Sequence, residues 1–406
     1  MSPFNDLGLP ARLVPIARLL ADRGHEVAVF NPAPAPAKLI ADAGLINLPL
    51  PARPMPPIPG DLLGVSLAWD VDELFACAFQ DEEAIRQTTA AHVDLIRDYA
   101  PDVVVDSFGL FSSLAARVLG VPMASVLQGS FHPASDGFLW WKGERPAGLP
   151  TLAPVVNRIL AEHGIAPVSR IVELLAGQLD LIVGTPETDP VASANAIHIG
   201  PVTWQQNHSL LPDWITDLDP AKPLLWIYPG NPRYAGAAAS TPCDSIVVIQ
   251  TAIAALADFD SHVILSSGYQ EMPAEIPALP GNFHLADYLP GPAMARRADL
   301  MIHHGGHSSV MTGLAAGKAA VMVPTISERE CNARRLAALG AGEVVLPMTQ
   351  PDGEKSIDVS DFRSKVHRVL SEPGYRDSAR RVAQTMRRYG GAAQAADLIE
   401  DFAPRP

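Results

Sequence analysis

The chain has 406 residues, with 44 Asp or Glu against 30 Lys or Arg for a formal charge of −14, and it is 48% apolar and 18% charged. That length suggests two or three domains, and the composition argues against disorder; the acidic balance, with no Lys/Arg cluster, argues against nucleic acid or an anionic membrane as the main partner. Cys77, Cys243 and Cys331 are odd in number and far apart, which indicates neither a disulfide framework nor a zinc site and fits a reducing, cytoplasmic setting.

Met1 to Asp6 has no basic stretch leading into an apolar run, so no secretory signal is read there, and no apolar run long enough for a transmembrane helix occurs. Helical spacing from Leu13 to Arg23 ends at Gly24, and Glu26 to Phe30 reads as a short strand. The nine prolines between Pro32 and Gly60 mark a surface loop. Asp81 to Asp98 is a helix candidate, Asp102 to Asp106 a buried strand, Leu110 to Leu119 a helix and Pro122 to Leu127 a strand.

The strand candidate Ala196 to Ile199 closes the first region, and the stretch Thr203 to Lys222 has little periodicity. Alternation resumes with a strand at Leu224 to Tyr228, a helix at Ser245 to Ala257 and a strand at His262 to Leu265. A strand at Leu300 to Ile302 precedes a helix from about His307, a strand at Ala320 to Val323 precedes a helix at Glu328 to Leu339, and Val344 to Leu346 closes the series. Short apolar runs alternating with helices predict an α/β chain of two doubly wound domains, with a ligand cleft where strand carboxyl ends meet. The expected layout is residues 1–201, a linker at 202–222, a second domain at 223–391, and a helix at 392–406 that crosses back to the first.

The stretch from Ala298 to Gly317 carries the most chemistry. A buried strand runs into His303 and His304, then Gly305 and Gly306, then His307, Ser308 and Ser309 at a helix start. Glycines admit a ligand close to the backbone, and the free amides of a first helical turn make an anion site. A phosphate or diphosphate is the expected ligand, and a histidine at the strand end could add a hydrogen bond or positive charge. Taken alone, the same residues also fit a tight turn. A metal cluster of His303, His304 and His307 is disfavoured because adjacent strand residues face opposite ways.

A wider pattern extends this. Asp287-Tyr288-Leu289-Pro290, His303 to Ser309, Gly317 to Pro324, Asn332 to Arg335 and Leu339 to Gly342 follow in an order and spacing that strongly resembles the donor half of the GT-B glycosyltransferases acting on small molecules, the group of flavonoid, antibiotic and macrolide enzymes. The first half matches less densely, through Arg23 to Val27, Pro101 to Asp106, Leu119 to Pro122 and Ile199 to Pro201.

The resemblance implies roles at matching positions. His304 and the backbone of Gly305, Gly306, His307, Ser308 and Ser309 would hold a donor diphosphate; Tyr288 would stack on the nucleobase and Thr312 would lie near the ribose. Gly230 and Asn231 match a turn beside the phosphates, and Glu328 and Arg329 stand where Asp-Gln reads sugar hydroxyls. Asp106 matches the carboxylate that orients the acceptor's base, but Leu9 stands in place of the basic His, and the first strand is missing ahead of Gly8. A chain that starts late, or a damaged first domain, would account for that. Asp106 could serve as the base itself, an acidic acceptor could need none, or Asp106 could simply cap the following helix.

Phe131, His132, Phe138, Trp140 and Trp141 could line an aromatic acceptor pocket or simply pack, and His132 could substitute as base. The pairs Asp70/Asp72, Asp217/Asp219 and Asp258/Asp260 are read as chance. The resemblance implies inverting, metal-independent transfer of a hexose from a UDP- or dTDP-sugar to a hydroxyl of an apolar small molecule, with no cofactor, by a monomer or homodimer, His304 and the helix start steadying the leaving group. A nucleotide-sugar epimerase of the same fold and a non-catalytic sugar-nucleotide binder are the alternatives.

Overall fold

The computed structural model describes residues 7–49, 66–204, 210–230, 244–268, 272, 274–351 and 354–404. The first described element of its first domain is the helix Pro10–Asp22, which starts two residues after Gly8 because Pro10 supplies a fixed φ and no amide at a position whose N–H needs no partner. Strand β1 (Ala28–Val29) pairs in parallel with β2 (Ile46–Asn47), and a second parallel piece has the order β3 (Val104–Asp106), β4 (Met123–Leu127), β5 (Leu179–Val183), β6 (Ala196–Gly200). β4 is buried along its whole length, whereas β3 is half-buried at Val104 and Val105. The sheet of this domain therefore comes in two pieces, with β1 and β3 not hydrogen-bonded to each other among the described residues.

The proline-rich stretch is not all loop. Pro34–Asp42 forms a helix and β2 follows it, because Pro34 falls in the first helical turn and the alanines and leucine behind it favour helix. The part of that stretch at 50–65 lies outside the described residues.

The second domain holds a six-stranded, all-parallel sheet. Its strands are β7 (Leu224–Tyr228), β8 (His262–Ser266), β9 (Phe283–Ala286), β10 (Leu300–His303), β11 (Ala320–Met322) and β12 (Gly342–Val344), in the order β12-β11-β10-β7-β8-β9. Chain order reverses between β7 and β10, where Tyr228 pairs with His303 in register. Crevices at such a switch point, beyond the strand carboxyl ends, are where α/β sheets take ligands. Leu224, Leu225, Ile227, Leu300 and Ile302 are fully buried, so both faces of these central strands are covered by helices.

Among the described residues, several helices tie the domains together. Gly391–Phe402 packs Ala395, Ala396 and Ile399 onto Ile16, Leu20, Val126 and Leu181 of the first domain, and Arg23 donates to Asp397 at 2.8 Å and to Glu400. The helix Ser327–Ala338 of the second domain lies along the first. Cys331 packs among Phe131 and Phe138, Arg334 lies 4.4 Å from the Trp141 ring centroid, and Arg335 lies 5.0 Å from that of Trp140. Among the described residues no helix is long and apolar enough to cross a membrane.

Candidate functional site

The strand β10 ends in His303 and His304, and the backbone turns through Gly305 into the helix His307–Ala315. Gly305 has φ +83°, and a Cβ there would lie 2.7 Å from the carbonyl oxygen of Arg329, so the turn requires glycine. A Cβ on Gly306 would lie 2.4 Å from His304 Nε2. Ser309 and Val310 donate their amides to the Gly306 carbonyl at 3.0 and 3.1 Å, whereas the amides of His307 and Ser308 precede the first such bond, and Gly306 caps the helix with no side chain. The partial positive charge of this helix start faces the first domain: Ser308 Oγ donates to the carbonyl of Gly8 at 3.0 Å.

His304 is packed against Gly230 and the Tyr228 ring, and its Nδ1 lies 3.4 Å from the Tyr228 carbonyl, to which it donates. Burial, with Arg329 and His303 nearby, drives its basicity well below that of an ordinary imidazole. Of the hydrogen bond and the positive charge that this histidine could add, burial disfavours the charge near neutral pH. His303, facing the other way, is held neutral by burial, its pKa lowered to about 4, and its Nδ1 accepts the Gly305 amide at 3.1 Å.

Of the other residues expected in the second domain, Arg329, Thr312 and Glu328 lie at this turn or one hydrogen bond from it. Thr312 Oγ1 donates to the Ser308 carbonyl at 2.8 Å, and Tyr288 lies half-buried in the segment after β9. Glu328 Oε1 accepts from Gln128 and from Asn332, each at 2.7 Å, and Asn332 also donates to the Gly305 carbonyl at 3.0 Å. Arg329 donates to Thr325 Oγ1 at 2.6 Å. Ser309 is half-buried in the first helical turn, and Asn231 lies outside the described residues.

In the first domain, Asp106 caps: it accepts the Gly109 amide and the Ser112 hydroxyl at the start of the helix Leu110–Leu119. Leu9 packs against the first-domain core. Phe131 and Phe138 are buried in a run of stacked and edge-on rings with Phe75, Phe79, Phe108 and Phe111, as packing residues would be. His132 Nε2 donates to Asp180 at 3.3 Å while its Nδ1 accepts the Ala134 amide at 3.1 Å, which leaves no lone pair for a substrate. Asp70 and Asp72 are structural carboxylates that bind Arg170 and, for Asp70, Arg145. Among the described residues no group of three or more His, Cys, Asp or Glu could hold a metal.

The structure adds groups that sequence reading missed. Arg12 is buried at 2% exposure in the cleft; it donates to Ser107 Oγ and Gln128 Oε1, each at 3.3 Å, and its Nη2 lies 3.1 Å from His307 Nδ1. His307 Nε2 lies 2.9 Å from Asp189 Oδ1. Asp189 also accepts the Gly129 amide and the Thr188 hydroxyl, each at 2.9 Å, and although burial opposes ionisation, His307 and these donors hold its carboxyl below the usual range. Two signals existed. Arg12 shares one helix face with Ile16 and Leu20, a charge on a core stripe, and Asp189 follows the carboxyl end of β5, where a doubly wound fold places its cleft.

Comparison with known proteins agrees with this architecture. Residues 250–397 match the family described as erythromycin biosynthesis protein CIII-like, C-terminal domain. A PGL/p-HBAD biosynthesis glycosyltransferase of Mycobacterium tuberculosis is 26% identical over 361 residues, covering 83% of this chain and 77% of that protein. The NDP-glycosyltransferase YjiC of Bacillus subtilis is 32% identical over 150 residues, 37% of this chain and 36% of its own. The calicheamicin glycosyltransferase CalG4 superposes with a TM-score of 0.69 at 22% identity, covering 98% of this chain and 95% of that one. The glycosyltransferase VinC, solved with dTDP, superposes at 0.67 and 19% identity, covering 98% and 97%. The chain has the GT-B fold.

Proposed function

We propose that this chain, a GT-B-fold relative of the natural-product glycosyltransferases, transfers a hexose with inversion from a UDP- or dTDP-sugar to a hydroxyl of an apolar small molecule. The observation that carries the reading is the turn from β10 through Gly305 and Gly306 into the helix at His307, which leaves the amides of His307 and Ser308 outside the helical hydrogen bonds at the switch point of the sheet. A diphosphate seated there would meet the helix dipole and the His304 ring. With its Nδ1 proton on the Tyr228 carbonyl, His304 offers Nε2 as an acceptor when neutral, so it can donate to phosphate only after taking up a proton.

Charge growing on the leaving diphosphate would be stabilised by dipoles already in place, which lowers the barrier without reorganisation. Glu328, held by Gln128 and Asn332 through one oxygen, keeps the other for a sugar hydroxyl. Leu9 and the capping role of Asp106 favour the second reading, a binder of sugar nucleotides without turnover. Calorimetric titration with UDP and dTDP, followed by nucleotide release from UDP-glucose and dTDP-glucose with phenolic acceptors, separates the two. Folded protein that binds neither nucleotide would overturn both.

A further inference from the structure

We propose that His307, oriented by Asp189, is the general base that deprotonates the acceptor hydroxyl, replacing from the second domain the dyad that Leu9 leaves incomplete in the first. The inference rests on the glycosyltransferase reading above.

His307 lies between the two places where a base and its orienting carboxylate are expected. Its neighbour Ser308 donates to Gly8, the residue before Leu9, and Arg12, which contacts His307, also donates to Ser107, the residue after Asp106. The pairing supplies the chemistry. A neutral imidazole whose Nε2–H is fixed on a carboxylate presents its Nδ1 lone pair as a base, and the carboxylate then stabilises the imidazolium. Asp189 is itself immobilised by the Gly129 amide and the Thr188 hydroxyl, so the orienting group is rigid.

The tautomer follows from Arg12. A guanidinium only donates, so its Nη2 at 3.1 Å requires a lone pair on His307 Nδ1, and the proton then sits on Nε2 facing Asp189. Arg12 occupies the position from which an acceptor O–H would donate. His132 makes the contrast plain: it too is paired with a carboxylate, but its Nδ1 is taken by the backbone amide of Ala134, which cannot swing away. Arg12 is a side chain, and a diphosphate bound at the adjacent helix start would draw its cation off the ring. Among the described residues the charged and titratable groups around His307 are Arg12 and Asp189, with Cys331 near Asp189 and Glu328 one residue further behind Gln128.

In the step itself, the acceptor oxygen gives its proton to Nδ1 as it bonds to the anomeric carbon. The bond from that carbon to the diphosphate oxygen breaks, and the nucleoside diphosphate leaves with the electron pair. The imidazolium returns its proton to water.

The test uses the dependence on acceptor acidity, which a merely structural role would not move. Transfer from dTDP-glucose and UDP-glucose to 4-nitrophenol, phenol and benzyl alcohol is measured for the wild type, His307→Ala and His307→Gln. The glutamine keeps an N–H for Asp189, so it guards against loss of fold. Both variants are expected to bind dTDP within a few fold of the wild type. Transfer should fall by about 10²- to 10⁴-fold with benzyl alcohol and far less with 4-nitrophenol, which ionises without help. An equal loss with all three acceptors would make His307 a positioning residue and overturn the proposal, as would no loss, or a wild type that binds nucleotide and transfers to none of them. Failure of UDP and dTDP to bind the wild type would sink the underlying reading instead.

Discussion

Gly306→Ala is a sharp probe of the proposed anion site. The added methyl would sit 2.4 Å from His304 Nε2 and 3.1 Å from its Cε1, while ordinary contact begins at 3.4 Å, so the ring has to retreat by about 1 Å. Retreat is obstructed. Gly230 packs against the ring's Cγ and Nδ1 at a distance where its own Cβ would be 3.0 Å away, and Nδ1 would lose the Tyr228 carbonyl. Overpacking of this kind costs about 1–3 kcal/mol. The cost would fall on the fold, as a lowering of Tm by roughly 2–4 °C per kcal/mol, and on ligand affinity wherever the helix start shifts instead, at tenfold per ~1.4 kcal/mol. Differential scanning calorimetry and dTDP titration on the same preparations measure both. If Gly306→Ala melts with the wild type and binds dTDP with unchanged affinity, the ring is not locked against the turn and the argument for its place at the phosphate fails.

Acid stability follows from the buried histidines. His92 and His303 are both held at about 4 by burial, against 6.5 when unfolded, so the unfolded chain binds more protons below 6.5 and stability is lost as pH falls towards 4. Each contributes roughly 2 kcal/mol of loss by pH 5, opposed in part by Asp72, whose buried carboxyl is raised; urea midpoints at pH 7 and pH 5 should therefore drop, and a flat profile would contradict the burial of these rings. Asp106→Ala should lower stability by about 0.5–2 kcal/mol through loss of the cap on Gly109, and unchanged urea denaturation would show the carboxylate to be structurally idle. A double-mutant cycle on Arg334→Ala and Trp141→Ala should return about 0.5–1 kcal/mol of coupling across the domain seam, whereas strict additivity would mean the guanidinium does not rest on the ring.

The strand, paired glycines and helix start from Leu300 to Ala315 were legible in the sequence because each is a local matter. An apolar run between turn residues favours a buried strand, two glycines permit the tight turn, and the next residues begin helical spacing. Alternation of such units specified the parallel sheets in the same way. Errors came where one residue type carried two meanings: proline between Pro32 and Gly60 suggested loop, yet Pro34 starts a helix as readily as it breaks one.

What the sequence by itself determined is thus the doubly wound architecture and the strand–glycine–helix turn proposed to take an anion, since both arise from patterns within about twenty residues. Only the tertiary structure decided which side chains meet in the cleft. Arg12 and His307 are 295 residues apart and Asp189 and His307 are 118 apart, and no local periodicity records a hydrogen bond between such positions. Burial, also a property of the assembled domains, decided that His304 is neutral, for a residue's solvation depends on what covers it and not on its neighbours along the chain.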